Sequence, residues 1–168
     1  MKVQELMTKE VKTCGRDSNL AEVAKLLWDG DCGALPVVDD EGNVTGIISD
    51  RDICFAVATK GRLAAEILAS EVASGKPLHT CAPDDDIQHA LSAMQQHQVR
   101  RIPVINSDGR IAGILSISDV INATNLETRG VKQGVSTNEA ISTLKGICEP
   151  RHAAQNAAAA ASGSAAQA

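Results

Sequence analysis

Aromatic side chains are almost missing from this chain. Its 168 residues include one Phe (Phe55), one Trp (Trp28) and no Tyr. A core must therefore be aliphatic, built from Val, Ile, Leu and Ala, and the length allows one ordinary domain or two small ones. A basic excess is missing too. Asp and Glu outnumber Lys and Arg by 21 to 16, which argues against a generic nucleic-acid binder and against adhesion to an anionic membrane. No apolar run approaches the ~18 residues that span a bilayer. The opening MKVQELMTKEV lacks the apolar stretch of an export signal. No CxxC pair exists: the five cysteines (14, 32, 54, 81, 148) are odd in number and widely spaced. They read as reduced thiols of a cytoplasmic protein, most of them small buried hydrophobes. No Ser or Cys has a His/acid partner at a recognisable spacing, and there is no P-loop or zincin motif. The expectation is a protein that is not an enzyme. Cys14, His79 and Cys81 have weak metal-site spacing and lack a fourth ligand.

What the chain does contain is a repeat. Residues 11–53 align with residues 78–120 at a constant offset of 67, without a gap across 43 positions. Ten positions are identical: Thr13/Thr80, Cys14/Cys81, Asp17/Asp84, Pro36/Pro103, Val37/Val104, Gly42/Gly109, Gly46/Gly113, Ile47/Ile114, Ser49/Ser116 and Asp52/Asp119. Each unit reads β-α-β-β-α. A short extended stretch precedes an amphipathic helix, with Leu20, Val23, Ala24 and Leu27, or Ile87, Ala90, Leu91 and Met94, at i, i+3, i+4, i+7. Asp17 and Asp84–Asp86 crowd the helix starts, where the dipole favours acids. ALPVV and RIPVI read as strands whose Pro36 and Pro103 sit at a strand start or an edge. Gly42 and Gly109 suit hairpin turns at positive φ. Second strands, VTGIIS and IAGILS, run into second helices at 50–58 and 117–124.

Such a unit has one sheet face it cannot cover alone, so two copies are expected to pack together. The expected division is repeat one at 1–60, a helical connector at 61–68, repeat two at 69–125, a C-terminal helical extension at 126–150 and a disordered Ala-rich tail at 151–168. The extension opens with a Ser136-x-x-Glu139 capping box, carries Ile141, Leu144, Ile147 and Cys148, and stops at Pro150.

The twin stretches ALPVVDDEGNVTGIISDRDI and RRIPVINSDGRIAGILSISDV resemble a tandem pair of CBS domains, a Bateman module, over roughly residues 1–125. The resemblance implies an α/β fold of two repeats packed as a pseudo-twofold pair with two clefts. It implies an adenine-nucleotide ligand (AMP, ADP or ATP) or S-adenosylmethionine as a regulatory rather than catalytic group, a homodimer, and a separate effector protein. It also assigns residues. One cleft would use Ser49 and Asp52 with Leu78, His79, Val99 and Arg100. The other would use Ser116 and Asp119 with Val11, Lys12, Cys32 and Gly33. In each, the Asp would accept from a ribose diol, and the Ser at a helix start would lie by the ribose or phosphate. Arg51, Arg100 and Arg101 could bond a phosphate chain. Repeat one has Gly33–Ala34 where repeat two has Arg100–Arg101, so the clefts differ electrically. The arginine-bearing cleft is expected to prefer the more highly charged nucleotide.

Plainer readings stand beside these. Ser-x-x-Asp at a helix start is also a capping box. His79 could be a packing or surface residue, and Lys9, Glu10 and Lys12 a solvated charge run. Two other functions remain open at this point: a ligand-free interaction and dimerisation module, and a cysteine-based redox sensor.

Overall fold

The structure, a computed structural model, describes residues 1–124 and 135–149. The expected tail at 151–168 lies outside the described residues. In repeat one, β1 (Cys14–Gly15), α1 (Leu20–Asp29), β2 (Ala34–Val38), β3 (Val44–Ser49) and α2 (Asp50–Lys60) follow in order; after a 3-10 turn at Ala64–Glu66, α3 (Ala69–Ala73) opens repeat two. In repeat two come α4 (Ile87–His97), β4 (Arg101–Ile105), β5 (Ile111–Ser116) and α5 (Ile117–Thr124), then α6 (Thr137–Cys148). β1 runs parallel to β2, and β2 antiparallel to β3. In repeat two the β1 equivalent is a single parallel bridge, Cys81 to Val104. Gly42 and Gly109 turn the hairpins at φ 86° and 82°, as side-chain-free residues can.

Two local expectations need correction. Pro36 is the third residue of the middle strand, not at an edge or a start. It is tolerated because β1 is so short: the first β1 pairing is Cys14 with Val37, so no strand lies where a ladder donor from residue 36 would be needed. Asn19 caps α1, accepting from Ala21 and Glu22 amides at 3.1 and 3.0 Å, and Asp86, one of the acids at the second helix start, caps α4. In the segment 61–68, Gly61 closes α2 at φ 61° and only the 3-10 turn follows. α6 has the expected cap, with Ser136 Oγ accepting from the Glu139 amide at 3.2 Å. Its buried face is Ala140, Thr143, Gly146 and Ile147, while Ile141 points outward.

The two aliphatic cores are assembled by exchange. Ile67, Ala69 and Ala73, which open repeat two, pack into the core of repeat one with Leu20, Val23 and Ile48. Val3, Leu6 and Met7, which open repeat one, pack into the core of repeat two with Leu91, Ile102 and Leu115. Backbone bonds fix both exchanges. The Val3 and Gln4 amides donate to Asp85 and Pro83 carbonyls, and the Ala69 and Ser70 amides donate to Ser18 and Arg16 carbonyls. Gly46 in β3 and Gly113 in β5 make room for this. A Cβ on Gly46 would lie 2.8 Å from Ala73 Cβ, and one on Gly113 would lie 2.8 Å from the Thr8 carbonyl oxygen.

The buried cysteines divide between the cores, Cys14 in one and Cys81 in the other. Burial pushes both thiols up to about 11, so neither holds an appreciable thiolate at neutral pH. Cys54 and Cys148 are exposed. A colorimetric thiol reagent is therefore expected to titrate Cys54 and Cys148 in the native protein, and Cys14 and Cys81 only after denaturation. Rapid native labelling of Cys14 or Cys81 would contradict the burial.

Candidate ligand clefts

Both Ser–Asp pairs sit where a strand becomes a helix, and both are complete capping boxes. Asp52 Oδ2 accepts from the Ser49 amide at 2.9 Å and the Ser49 hydroxyl at 2.8 Å. Asp119 Oδ2 accepts from the Ser116 amide at 2.8 Å and the Ser116 hydroxyl at 2.7 Å. Capping thus occupies one oxygen of each carboxylate and leaves the other. Here the repeats part. Lys76 Nζ donates to Asp52 Oδ1. Asp119 Oδ1 has no hydrogen-bond or ion-pair partner among the described residues. Burial would raise the Asp52 carboxyl, but Lys76 and the Ser49 bonds outweigh it and hold the group below the usual carboxylate range.

The Lys76 bond draws the chain before Leu78 and His79 to the start of α2. His79 itself stacks on His97, with ring centroids 3.6 Å apart and planes 9° from parallel. Burial in that stack, and then the charge of His97, hold His79 below the ordinary histidine value. A folded-state value below the unfolded one favours the neutral ring. Its stabilising contribution is present above the ordinary value of 6.5 and is lost as pH falls through and below it. Thermal melts between pH 7.5 and 5.5 should show a smaller loss of Tm for His79→Gln than for the parent; an equal loss would leave the stack without a role. Val99 packs on the second core, and the Arg100 carbonyl accepts from the Ile117 amide at 2.9 Å. The Arg51 guanidinium lies 5.4 Å from the centroid of the Phe55 ring, a cation–π contact on α2 itself.

In the other cleft the structure brings Arg101 to Gly33. Arg101 pairs with Ser116 across β4 and β5, and its Nη2 lies 3.0 Å from where a Gly33 Cβ would be. Arg101 joins the Ser116 side, whereas the sequence reading grouped the two arginines in one cleft. Lys12 lays its stem over Gly30, with Cδ 3.1 Å from a Cβ position there. Gly30 is the counterpart of His97 and Lys12 of His79, so a stacked imidazole pair on one side becomes a lysine stem on a glycine on the other. Cys32 Sγ donates to the Leu27 carbonyl at 3.8 Å. Val11 is half-buried. Lys76 escaped the sequence reading. Its signal was present, since it is the counterpart of Lys9 at the same offset of 67, but Lys9 had been set aside as solvated charge.

Among the described residues no helix is long and apolar enough to cross a membrane, and no three His, Cys, Asp or Glu side chains converge as a metal site.

Comparison with known proteins agrees with this architecture. The CBS domain family model matches residues 3–59 and again 69–125. The chain is 30% identical over 133 residues to the CBS domain-containing protein YhcV of Bacillus subtilis, covering 76% of this chain and 89% of that protein. It is 31% identical over 147 residues to Hypoxic response protein 1 of Mycobacterium tuberculosis, covering 88% and 94%. A crystal structure of Hypoxic Response Protein I with two coordinated zinc ions superposes with a TM-score of 0.67 at 30% identity, covering 73% of this chain and 98% of that one. The CBS domain pair of protein MJ0100, in complex with 5′-methylthioadenosine and S-adenosyl-L-methionine, superposes with a TM-score of 0.64 at 25% identity, covering 73% and 98%. With two family matches in tandem and these relatives, the chain belongs to the CBS domain family, as a CBS pair.

Proposed function

We propose that this CBS pair is a regulatory sensor that binds an adenine nucleotide or a related adenosine compound in the cleft of Ser116 and Asp119, and passes the signal to a separate effector protein. The observation that carries the choice of cleft is Asp119 Oδ1, without a partner among the described residues, set against the Lys76-bound Oδ1 of Asp52. A carboxylate oxygen with open lone pairs can take a ribose hydroxyl at once. In the other cleft an ammonium must first be displaced. Arg101 beside Gly33, and Lys12 with its ammonium at the end of a stem anchored on Gly30, supply cations for phosphate. That moves the expected preference for the more highly charged nucleotide from the Ser49 cleft to the Ser116 cleft. The adenosine ligands of the MJ0100 pair support the ligand class.

Isothermal titration with AMP, ADP, ATP and S-adenosylmethionine tests the reading. At least one should bind, at about one molecule per chain. Silence from all four at millimolar concentration would end it.

A further inference from the structure

The two Ser–Asp boxes are built alike and occupied differently. In the first, the bonds donated by the Ser49 amide, the Ser49 hydroxyl and the Asp52 amide measure 2.9, 2.8 and 3.3 Å. Their counterparts at Ser116 and Asp119 measure 2.8, 2.7 and 3.2 Å. Among the described residues, the difference at the carboxylate is the Lys76 ammonium, which donates to Asp52 Oδ1. The sequence around it explains why only one repeat has it. Lys9 is the counterpart of Lys76, yet it is exposed and forms no ion pair among the described residues. Thr8, just before Lys9, is fastened to Ile114 by two backbone bonds of 2.9 Å, which hold that chain along β5. The counterpart of Thr8 is Gly75, and no such bridge from Gly75 exists among the described residues. Instead the Lys76 amide donates to the Ala73 carbonyl at 3.3 Å, a turn off the end of α3, and Pro77 keeps Lys76 from continuing the helix. The Asp52 side chain is only 20% exposed, and that of Lys76 is 44% exposed. The ammonium therefore covers a shielded carboxylate, while its own stem lies half in solvent and can swing away without opening a core.

We propose that Lys76 is an autoinhibitory plug: its ammonium takes the place of a ribose hydroxyl at Asp52 Oδ1 and keeps the Ser49 cleft as a latent second site for the same ligand, a proposal that rests on the ribose role given above to the Asp of the Ser116 cleft. A hydroxyl entering at Asp52 must replace a charge-assisted bond, whereas at Asp119 it meets open lone pairs. The partial exposure of Lys76 moderates that cost, which leaves the plugged cleft weaker by about tenfold. The rest of the cleft does not depend on Lys76. His79 is held by its stack on His97, and the Arg100 carbonyl by the Ile117 amide. The plug also predicts an effect opposite in sign to general electrostatics. A phosphate is drawn to a nearby cation, so removing a lysine ordinarily weakens an anionic ligand. Removing this one opens a site.

Calorimetric titration of the full chain with AMP, and separately with S-adenosylmethionine, tests the plug. At least one of the two should bind the parent at about one molecule per chain and Lys76→Met at about two, the added site being about tenfold or more tighter than any second binding in the parent. Adding Asp52→Ala to Lys76→Met should return the count to one. Lys76→Arg keeps a charged donor and should stay at one. A 2′,3′-dideoxy analogue of AMP has no diol and should gain nothing from Lys76→Met. Without ligand, the Asp52 carboxyl followed by carbon NMR should titrate at higher pH in Lys76→Met than in the parent, because Lys76 holds it down. The plug is overturned by equal counts in the parent and Lys76→Met, by a second site that survives Asp52→Ala, by the same gain in Lys76→Arg or with the dideoxy analogue, by parent binding that Asp52→Ala abolishes, or by an Asp52 titration that Lys76→Met leaves unchanged. One site in both the parent and Lys76→Met ends the plug and leaves the ligand reading standing. A silent parent with one site in Lys76→Met ends that reading and keeps the plug.

Discussion

Gly113→Ala is expected to destabilise the protein by about 3 kcal/mol, above the middle of the range for overpacking, and so to lower Tm by roughly 6–12 °C for a chain of this size. The new methyl would lie 2.6 Å from Met7 Sδ and 2.8 Å from the Thr8 carbonyl oxygen. The sulfur belongs to a flexible side chain and can move aside. The carbonyl cannot, because Thr8 and Ile114 exchange two backbone bonds, each 2.9 Å. Relief therefore means lifting the opening segment off β5 and exposing Val3 and Met7. Gly46→Ala is the contrasting case. Its obstacle is the Ala73 Cβ, at 2.8 Å, so Ala73→Gly should recover part of the loss, offset by about 1 kcal/mol for glycine in a helix. Met7→Ala should not restore Gly113→Ala to the parent. Chemical denaturation of the single and double variants reads this directly, and a Gly113→Ala protein within 2 °C of the parent would contradict the seating of residues 1–8.

Asp119→Ala is expected to reduce nucleotide affinity by at least about tenfold, the scale of a lost charged hydrogen bond. Asp52→Ala should change affinity by less than about twofold, well below that scale. The comparison is informative because both acids cap a helix through the same bonds. Each substitution loses the carboxylate half of a capping box and keeps the serine half, so a difference in binding between them cannot be a difference in capping. Asp52→Ala also strands the Lys76 ammonium, which is solvent-accessible and can rehydrate. Acidification should act on this pair in a defined direction. A carboxyl held below its usual range contributes stability that is full above the unfolded value and fades as pH falls through the folded one. If Asp52→Ala abolishes binding and Asp119→Ala does not, the ligand lies in the other cleft and displaces Lys76.

Much of this is legible in the sequence. The repeat, the turn glycines and the Ser–Asp and Ser136–Glu139 boxes are signals of short range, and local chemistry fixes them. What was not legible depends on partners distant in sequence. The four-residue spacing of Leu20, Val23, Ala24 and Leu27 marks one helix face, but it cannot say that Ala24 is exposed while Leu91 lies under α6. Ile141 fits the period of α6 as well as Ile147 does, yet α4 and α5 select the face of Ile147. The placing of Arg101 beside Gly33 needs the fold as well as the sequence. Lys76 had a visible counterpart, but only the fold puts its ammonium on Asp52. Gly46 and Gly113 stand out in the sequence only as identical repeat positions, whereas in the fold each admits a segment from the other repeat.

That exchange has a consequence for how the molecule comes into being. During synthesis the first repeat cannot close its core until Ile67–Ala73 have emerged, and the second closes its core on Val3–Met7, a segment that precedes the first. Lys2 meets Asp84 across 82 residues, a loop whose closure is entropically costly and slow. The two halves are therefore clasped rather than strung, each holding the other's latch. A polypeptide carrying a single repeat would lack its lid and would be completed by a second such polypeptide. A cut within 61–66 would leave two fragments still able to grip each other. The boundary drawn between two CBS domains along the sequence is thus not a boundary between two folding units.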